Sequence, residues 1–285
     1  MKTDCQIWGI LNVTPDSFSD GGKFVTLETA VAHGQRMANE GARVIDVGGQ
    51  SSRPPGTTYA DGASVVEVAE ECKRVLPVIM ALSQQLSVPI SVDTTRAEVA
   101  EAALKSGASI VNDVSCARNA DLLKVVGKAK AQYVLMHSRG QGEIHSKNTV
   151  YTSVVEDVLK ELNQGIGRCL EAGIDRRSIW LDPGIGFAKT AEQSLQIMRH
   201  LSAFVGRGHR IVLGASRKAF IGAIATDPDG HIPAPQERIG GTAVTVMEAV
   251  RVGVTAVRVH DVAIMWQVIK MVHALGRPGG PKLSC

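Results

Sequence analysis

Cysteine is scarce in this chain and badly placed for cross-linking. Cys5, Cys72, Cys116, Cys169 and Cys285 are odd in number, scattered, and never in CxxC spacing. Such a set argues against a disulfide scaffold and against a thiolate zinc site, and it suits a reducing, cytoplasmic compartment. Long apolar runs are missing too: none approaches the roughly 20 residues of a membrane-spanning helix. The opening Met1-Lys2-Thr3-Asp4 lacks the basic and apolar regions of a signal peptide. Nor does one sign of charge dominate. The 31 Lys and Arg against 28 Asp and Glu leave a net +3, which gives no nucleic-acid footprint but is compatible with a small anionic substrate. The histidines show no HxxxH or HxH spacing, so a zinc site built on them is not expected.

What is present is repetition. The 285 residues, 44% hydrophobic and 21% charged, alternate short β-branched runs with longer stretches of helical periodicity. The apolar runs are Ile7–Val13, Ala42–Gly49, Pro89–Thr94, Ser109–Val114, Gln132–His137, Ser178–Gly184, His209–Gly214 and Ala256–His260. Helices are predicted near 27–40, 64–86, 97–106, 119–130, 151–172, 190–204, 237–252 and 261–274, on apolar spacing of three and four such as Val65, Val68, Ala69, Cys72 and Leu76. Strands that are apolar throughout imply a parallel sheet covered on both faces. Gly41, Gly107, Gly173 and Gly253 stand at the returns from helix to strand, where a left-handed C-cap is needed. Eight such units without a linker or a composition break predict a single-domain α/β protein, a (β/α)8 TIM barrel over residues 1–275, ahead of an open doubly wound sheet. The Gly- and Pro-rich tail, 276–285, is expected to be poorly ordered.

A barrel of this kind carries its chemistry at the C-terminal ends of its strands, and here every strand ends in polar or adaptable residues. Asp93, Asn112 and Asp182 can together exchange hydrogen bonds with the edge of a heterocycle such as a 2-amino-4-oxo pyrimidine. Arg53, Lys218, Arg258 and His260 bring the opposite charge from strands 2, 7 and 8, suited to a phosphorylated group. Asn12 can hold a Mg²⁺ ion shared with phosphate oxygens, because that ion takes few protein ligands. Taken one at a time, Asp16, Asp113 and Asp261 read as ordinary caps or turn formers. His137 is the remaining histidine expected at the pocket. Gly184-Ile185-Gly186 with Lys189 matches neither GxGxxG nor a P-loop, so no dinucleotide site is inferred from it.

In order along the chain, the rim segments GILNVTPDSFSDGG (9–22), IDVGGQSSRP (45–54), ISVDTT (90–95), IVNDV (110–114), LMH (135–137), LDPGIGF (181–187), SRK (216–218) and RVHD (258–261) closely resemble the dihydropteroate synthases, a family of pterin-binding barrels. The resemblance runs over about residues 7–273. It implies a transferase of folate biosynthesis that joins 6-hydroxymethyl-7,8-dihydropterin diphosphate to p-aminobenzoate, releases diphosphate, uses Mg²⁺, and is the target of sulfonamide analogues. By the same resemblance Asp93, Asn112, Met136, Asp182 and Lys218 hold the pterin, and Asn12, Arg53, Arg258 and His260 hold the diphosphate and metal. Phe18, Ser52 and Phe187, with the loops 12–22 and 50–60, shape the p-aminobenzoate site. Asp93, Lys218 and Arg258 are the residues on which turnover is expected to depend. A homodimer is implied, formed through the last helices, where Val262, Ile264, Met265, Ile269, Met271 and Val272 cluster.

The chain also departs from the family pattern. Gln50 stands for Glu, Ser52 for Thr, Pro55 for Gly, Ala188 for Gly and Ala219 for Ser, mostly on the p-aminobenzoate side. Two alternatives remain at this level: a pterin-binding methyltransferase that uses methyltetrahydrofolate, which does not need the SRK and RVHD cations, and a catalytically silent pterin-binding barrel.

Overall fold

The computed structural model of the chain describes residues 5–14, 26–50, 66–140 and 146–276. Eight parallel strands close into a barrel in sequence order: β1 Gln6–Asn12, β2 Val44–Gly48, β3 Ile90–Asp93, β4 Ile110–Asp113, β5 Gln132–Met136, β6 Ile179–Asp182, β7 Arg210–Leu213 and β8 Ala256–Val259. Closure is made by β1 and β8, with Gln6 opposite Ala256 and Gly9 opposite Val259. Seven strands lie inside the apolar run that predicted them, and β1 begins one residue before its run, at Gln6.

The helices are α1 Leu27–Asn39, α2 Val68–Gln85, α3 Ala97–Lys105, α4 Ala120–Ala129, α5 Val154–Glu171, α6 Ala191–Arg199, α7 Ala219–Ile224, α8 Ile239–Val252 and α9 Val262–Leu275. Capping marks several starts: Asn119 accepts from the N–H groups of Asp121 and Leu122, and Thr190 forms a reciprocal box with Gln193. Gly41, Gly107, Gly173 and Gly253 have φ of +110°, +111°, +82° and +89°, the left-handed returns expected of them. Helix α7 is the one not anticipated. It has only six residues, too few for a periodicity to show. No described helix is long and apolar enough to cross a membrane. The tail beyond Gly276 lies outside the described residues.

Two apolar layers result. Between strands and helices runs the larger one, to which Leu11, Ile45, Ile79, Leu82, Val111, Leu135 and Met265 belong. Inside the barrel sits a compact floor of Trp8, Val44, Ile110, Val134, Trp180, Val212 and Ala256. Trp8 and Trp180 meet edge-on, centroids 5.0 Å apart and planes at 64°, a favourable aromatic geometry. The indole N–H of Trp180 donates to Gln132 at 2.8 Å, and the Arg210 guanidinium covers its ring at 4.1 Å.

Candidate active site

Strand side chains alternate between faces, so the residues two positions beyond the floor share the barrel interior with it. Val44 leads to Asp46, Ile110 to Asn112, Val134 to Met136, Trp180 to Asp182, Val212 to Gly214 and Ala256 to Arg258. The apolar floor thereby carries a polar layer. Around the rim, Asn12 pairs with Gly48, Gly48 with Asp93, and Asp93 with Asn112, which brings four sequence-distant segments to one height.

Arg258 organises this layer. Its Nε donates to Asp46 Oδ2 at 2.5 Å and its Nη2 to Asp93 Oδ2 at 2.8 Å. Asn112 Nδ2 donates to the same Asp46 oxygen at 3.0 Å. Because a carboxylate can only accept, this bond fixes the amide with its carbonyl oxygen turned away from Asp46. Asp46 has no exposed surface, and its Oδ1 has no hydrogen-bond partner among the described residues. Asp182 accepts from the Gly184 N–H at 2.7 Å through Oδ1. The Lys218 ammonium lies 4.0 Å over the Phe187 ring, a cation–π contact, and no described residue accepts a hydrogen bond from it.

Burial sets the electrostatics. It raises Asp93 to about 7, with the Asp46 and Glu71 carboxylates pushing the same way, against Arg258 and Lys218. Asp182 is also raised by burial, opposed by the Gly184 N–H and by the Lys218, Lys189 and Arg258 charges. Burial and the Arg258 charge lower Lys218 to about 8, while Asp182 and Asp93 hold it up. For Arg258, burial works against the charge, but Asp46 and Asp93 outweigh it and the guanidinium stays protonated.

Glycines keep the mouth open. A Cβ on Gly48 would stand 3.4 Å from Asn12 Oδ1 and 3.5 Å from Asp93 Cβ, and one on Gly214 would stand 3.5 Å from Asp182 Oδ2. Any larger side chain at either position would fill the space between the polar groups. Behind the rim, Ser216 Oγ lies 3.0 Å from His260 Nδ1. Arg217, held at φ +59°, forms a two-pronged ion pair with Asp261. That pair ties the loop after β7 to the loop after β8.

Of the residues expected at the site, Asn12, Asp93, Asn112, Met136, Asp182, Lys218, Arg258 and His260 all stand at strand ends or just beyond them, and Phe187 packs on Lys218. Phe18, Ser52 and Arg53 lie outside the described residues, as do most of the loops 12–22 and 50–60. Arg258, expected among the phosphate ligands, has its Nε and Nη2 on Asp46 and Asp93. His137 requires a correction. It has no exposed surface, and its ring nitrogens face Lys189 Nζ at 2.8 Å and Glu161 Oε2 at 3.0 Å; it belongs to the barrel wall. Asp113 is a strut, accepting from the Ser115 and Ala117 N–H groups and the Ser115 and Tyr133 hydroxyls. Sequence reasoning passed over Asp46. Its parity with Val44 was a usable signal, whereas its partner Arg258 lies 212 positions away.

The fold and this layer define a single-domain βα-barrel enzyme that recognises a polar planar ring flanked by cationic groups. The family of pterin binding enzymes matches residues 8–260. The dihydropteroate synthase of a Synechocystis species is 44% identical over 272 residues, 95% of this chain and 90% of that one. Among solved structures, dihydropteroate synthase of Xanthomonas albilineans with 4-aminobenzoic acid superposes with a TM-score of 0.86 at 38% identity, covering 97% of this chain and 94% of the other. The same organism's enzyme in complex with 7,8-dihydropteroate gives 0.84 at 36% identity, with 99% and 96% covered. The chain belongs to the pterin-binding enzyme family.

Proposed function

We propose that this chain is a dihydropteroate synthase, a transferase that condenses 6-hydroxymethyl-7,8-dihydropterin diphosphate with p-aminobenzoate to give 7,8-dihydropteroate and diphosphate in folate biosynthesis. The carrying observation is the Asp93–Asn112–Asp182 layer, with Asn112 and Asp182 buried and Asp93 partly buried, facing Lys218 and Arg258 above an apolar floor. Asp93 and Asp182 each have one oxygen engaged by the protein and one without a partner among the described residues. These open oxygens and the Asn112 carbonyl suit the N–H edge of the pterin, and Lys218 suits its ring acceptors. Met136, 5% exposed, supplies an adaptable apolar wall. Phe187, with Phe18 and Ser52, lines the p-aminobenzoate side in this reading.

The diphosphate end falls to Asn12, Arg53, Arg258 and His260. The Asp46 and Asp93 bonds hold the Arg258 guanidinium in one orientation, leaving its remaining N–H donors for the leaving group. Among the described residues no group of three or more His, Cys, Asp or Glu is placed to hold a metal. An ion here would rest on Asn12, substrate oxygens and water, the coordination that suits Mg²⁺. When bound, it would supply Lewis-acid stabilisation of the phosphate oxygens. The C–O bond at the pterin methylene breaks and diphosphate leaves with the bonding pair. Asp93 stabilises the positive charge left on the pterin. The amine nitrogen of p-aminobenzoate forms the new C–N bond, and the acidic arylammonium so formed gives its proton to water or to an oxygen of the departing diphosphate, so no strong general base is required.

A homodimer and a cytoplasmic setting go with this reading. The four described cysteines are free. Val262, Met265 and Ile269 of α9 face the core, whereas Ile264 and Met271 are exposed, as are Val244 and Met247 of the adjoining α8. An exposed apolar surface of this kind fits an interface with a second copy. Sedimentation should show a dimer that Val244→Glu weakens; a wild-type monomer at micromolar concentration would remove the proposal. Activity has a direct test. The purified protein, mixed with the pterin diphosphate, p-aminobenzoate and Mg²⁺, should release diphosphate and form dihydropteroate. Pterin binding without release would point instead to a silent binder. The dihydropteroate synthases named above favour this activity over methyl transfer.

A further inference from the structure

Behind the β6–α6 loop lies a second set of charged groups that the reaction does not use. Lys189 is 1% exposed. Its Nζ makes three contacts: Gly184 O at 2.9 Å, Phe187 O at 3.1 Å and His137 Nδ1 at 2.8 Å. Burial lowers Lys189 to about 7, against the Asp182 charge; the three acceptors around Nζ match the three donors of its ammonium form. For Nδ1 to accept, His137 must be neutral with its proton on Nε2, which then donates to Glu161 at 3.0 Å. Burial lowers His137 to about 4, consistent with that neutral form. Glu161 is 26% exposed and also takes the Arg139 guanidinium. A chain of polar contacts therefore crosses the barrel wall, from the outer face to the backbone of an active-site loop.

That loop is costly to hold. Gly184, Gly186 and Ala188 have φ of +69°, +76° and +47°. Gly184 has no room for a side chain, since a Cβ there would lie 1.8 Å from the His137 carbonyl oxygen. Ala188 occupies a left-handed conformation that L-residues resist. Four side chains among the described residues hold the strained stretch: Asp182 and Ser194 accept from the Gly184 and Gly186 N–H groups at 2.7 and 3.3 Å, Lys189 donates to the Gly184 and Phe187 carbonyls, and the Tyr151 hydroxyl donates to Ala188 O at 3.0 Å. The same stretch presents Phe187 to Lys218.

We propose that Lys189 is a positioning residue for the p-aminobenzoate subsite: backed by His137 and Glu161, its ammonium holds the 184–188 backbone in the left-handed path that sets the Phe187 ring against Lys218. This rests on the reading that Phe187 lines that subsite. Lys189 touches neither substrate; it acts through the loop. Swapping the ammonium for an apolar side chain of similar length leaves the Gly184 and Phe187 carbonyls without their buried donor, and the loop relaxes.

Steady-state kinetics on Lys189→Met, Phe187→Ala and the double variant test this. Lys189→Met should raise KM for p-aminobenzoate about tenfold and KM for the pterin diphosphate less than about twofold. Phe187→Ala should give the same split. The double variant should be no worse than Phe187→Ala within about twofold, because the two changes remove one arrangement. Multiplying effects, or equal rises in both KM values for Lys189→Met, would overturn the proposal. An unchanged p-aminobenzoate KM in Phe187→Ala would overturn the reading of Phe187 itself, a distinguishable failure. If Lys189→Met does not fold, Glu161→Gln decides at the exposed end of the chain of contacts. It should raise KM for p-aminobenzoate selectively, by about twofold to threefold, and no change there would count against the proposal.

Discussion

Two clusters of the same residue types lie within one barrel and behave oppositely. In the polar layer over the floor, Asp93 and Asp182 each keep one oxygen without a partner among the described residues, and no described residue accepts a hydrogen bond from the Lys218 ammonium, which lies over the Phe187 ring. In the wall, Lys189 has an acceptor for every donor, and Glu161 has both oxygens taken by His137 and Arg139. Buried polar groups normally find partners, so unmet capacity in the first cluster marks where a ligand supplies the missing bonds. Full satisfaction in the second marks a strut. Charge and burial alone do not separate a site from its support; the count of unmet donors and acceptors does.

The comparison breaks most sharply at the polar layer. Asp93→Asn, Lys218→Ala and Arg258→Ala should each lower turnover on the order of 10²–10³-fold, with binding of p-aminobenzoate to the unliganded enzyme less affected. Near-normal kcat in all three would remove the distinction between site and strut.

A more modest effect is expected in the pH profile of kcat/KM, which reports the free enzyme. Burial raises Asp93 to about 7, so its carboxylate is neutralised as pH falls through that value, and the rate should fall with it. Burial lowers Lys218 to about 8, so its charge is lost as pH rises through that value, and the rate should fall again. The result is a narrow bell centred between the two. Asp93→Asn should abolish the acidic limb of whatever activity remains, and an unaltered limb would assign it to another group.

The smallest effect sharpens the strut. Ala188→Gly replaces a strained left-handed alanine. The relief of about 1–2 kcal/mol is partly offset by about 0.4–1 kcal/mol of added unfolded-state entropy. A net gain of up to about 1.6 kcal/mol, centred at about 0.8 kcal/mol, should appear as a rise in melting temperature of about 2–3 °C. A fall would mean that the alanine methyl contributes packing that outweighs its strain.

Much of this was legible residue by residue. The short continuous apolar runs placed every strand, and the returns at Gly41, Gly107, Gly173 and Gly253 marked where helices end. Helix α7 escaped because six residues span less than two turns. At the site, the rim motifs picked out Asp93, Asn112, Asp182, Lys218 and Arg258, but Asp46 and Lys189 went unassigned. His137 was expected in the pocket and faces the wall. Each miss at the site concerns a contact between segments far apart in the chain.

The sequence by itself determined the repeating βα unit, the parity of the residues facing the barrel interior, and the chemical types gathered at the strand ends. These are local properties, settled by backbone sterics and by the alternation of side chains along a strand. Only the tertiary structure decided which charges meet. Arg258 reaches Asp46 and Asp93 because β8 closes onto β1, and Lys189 reaches His137 because the β6–α6 loop folds back on β5. Such pairings depend on closure of the sheet and on the desolvation that closure brings, and neither exists in any segment taken alone.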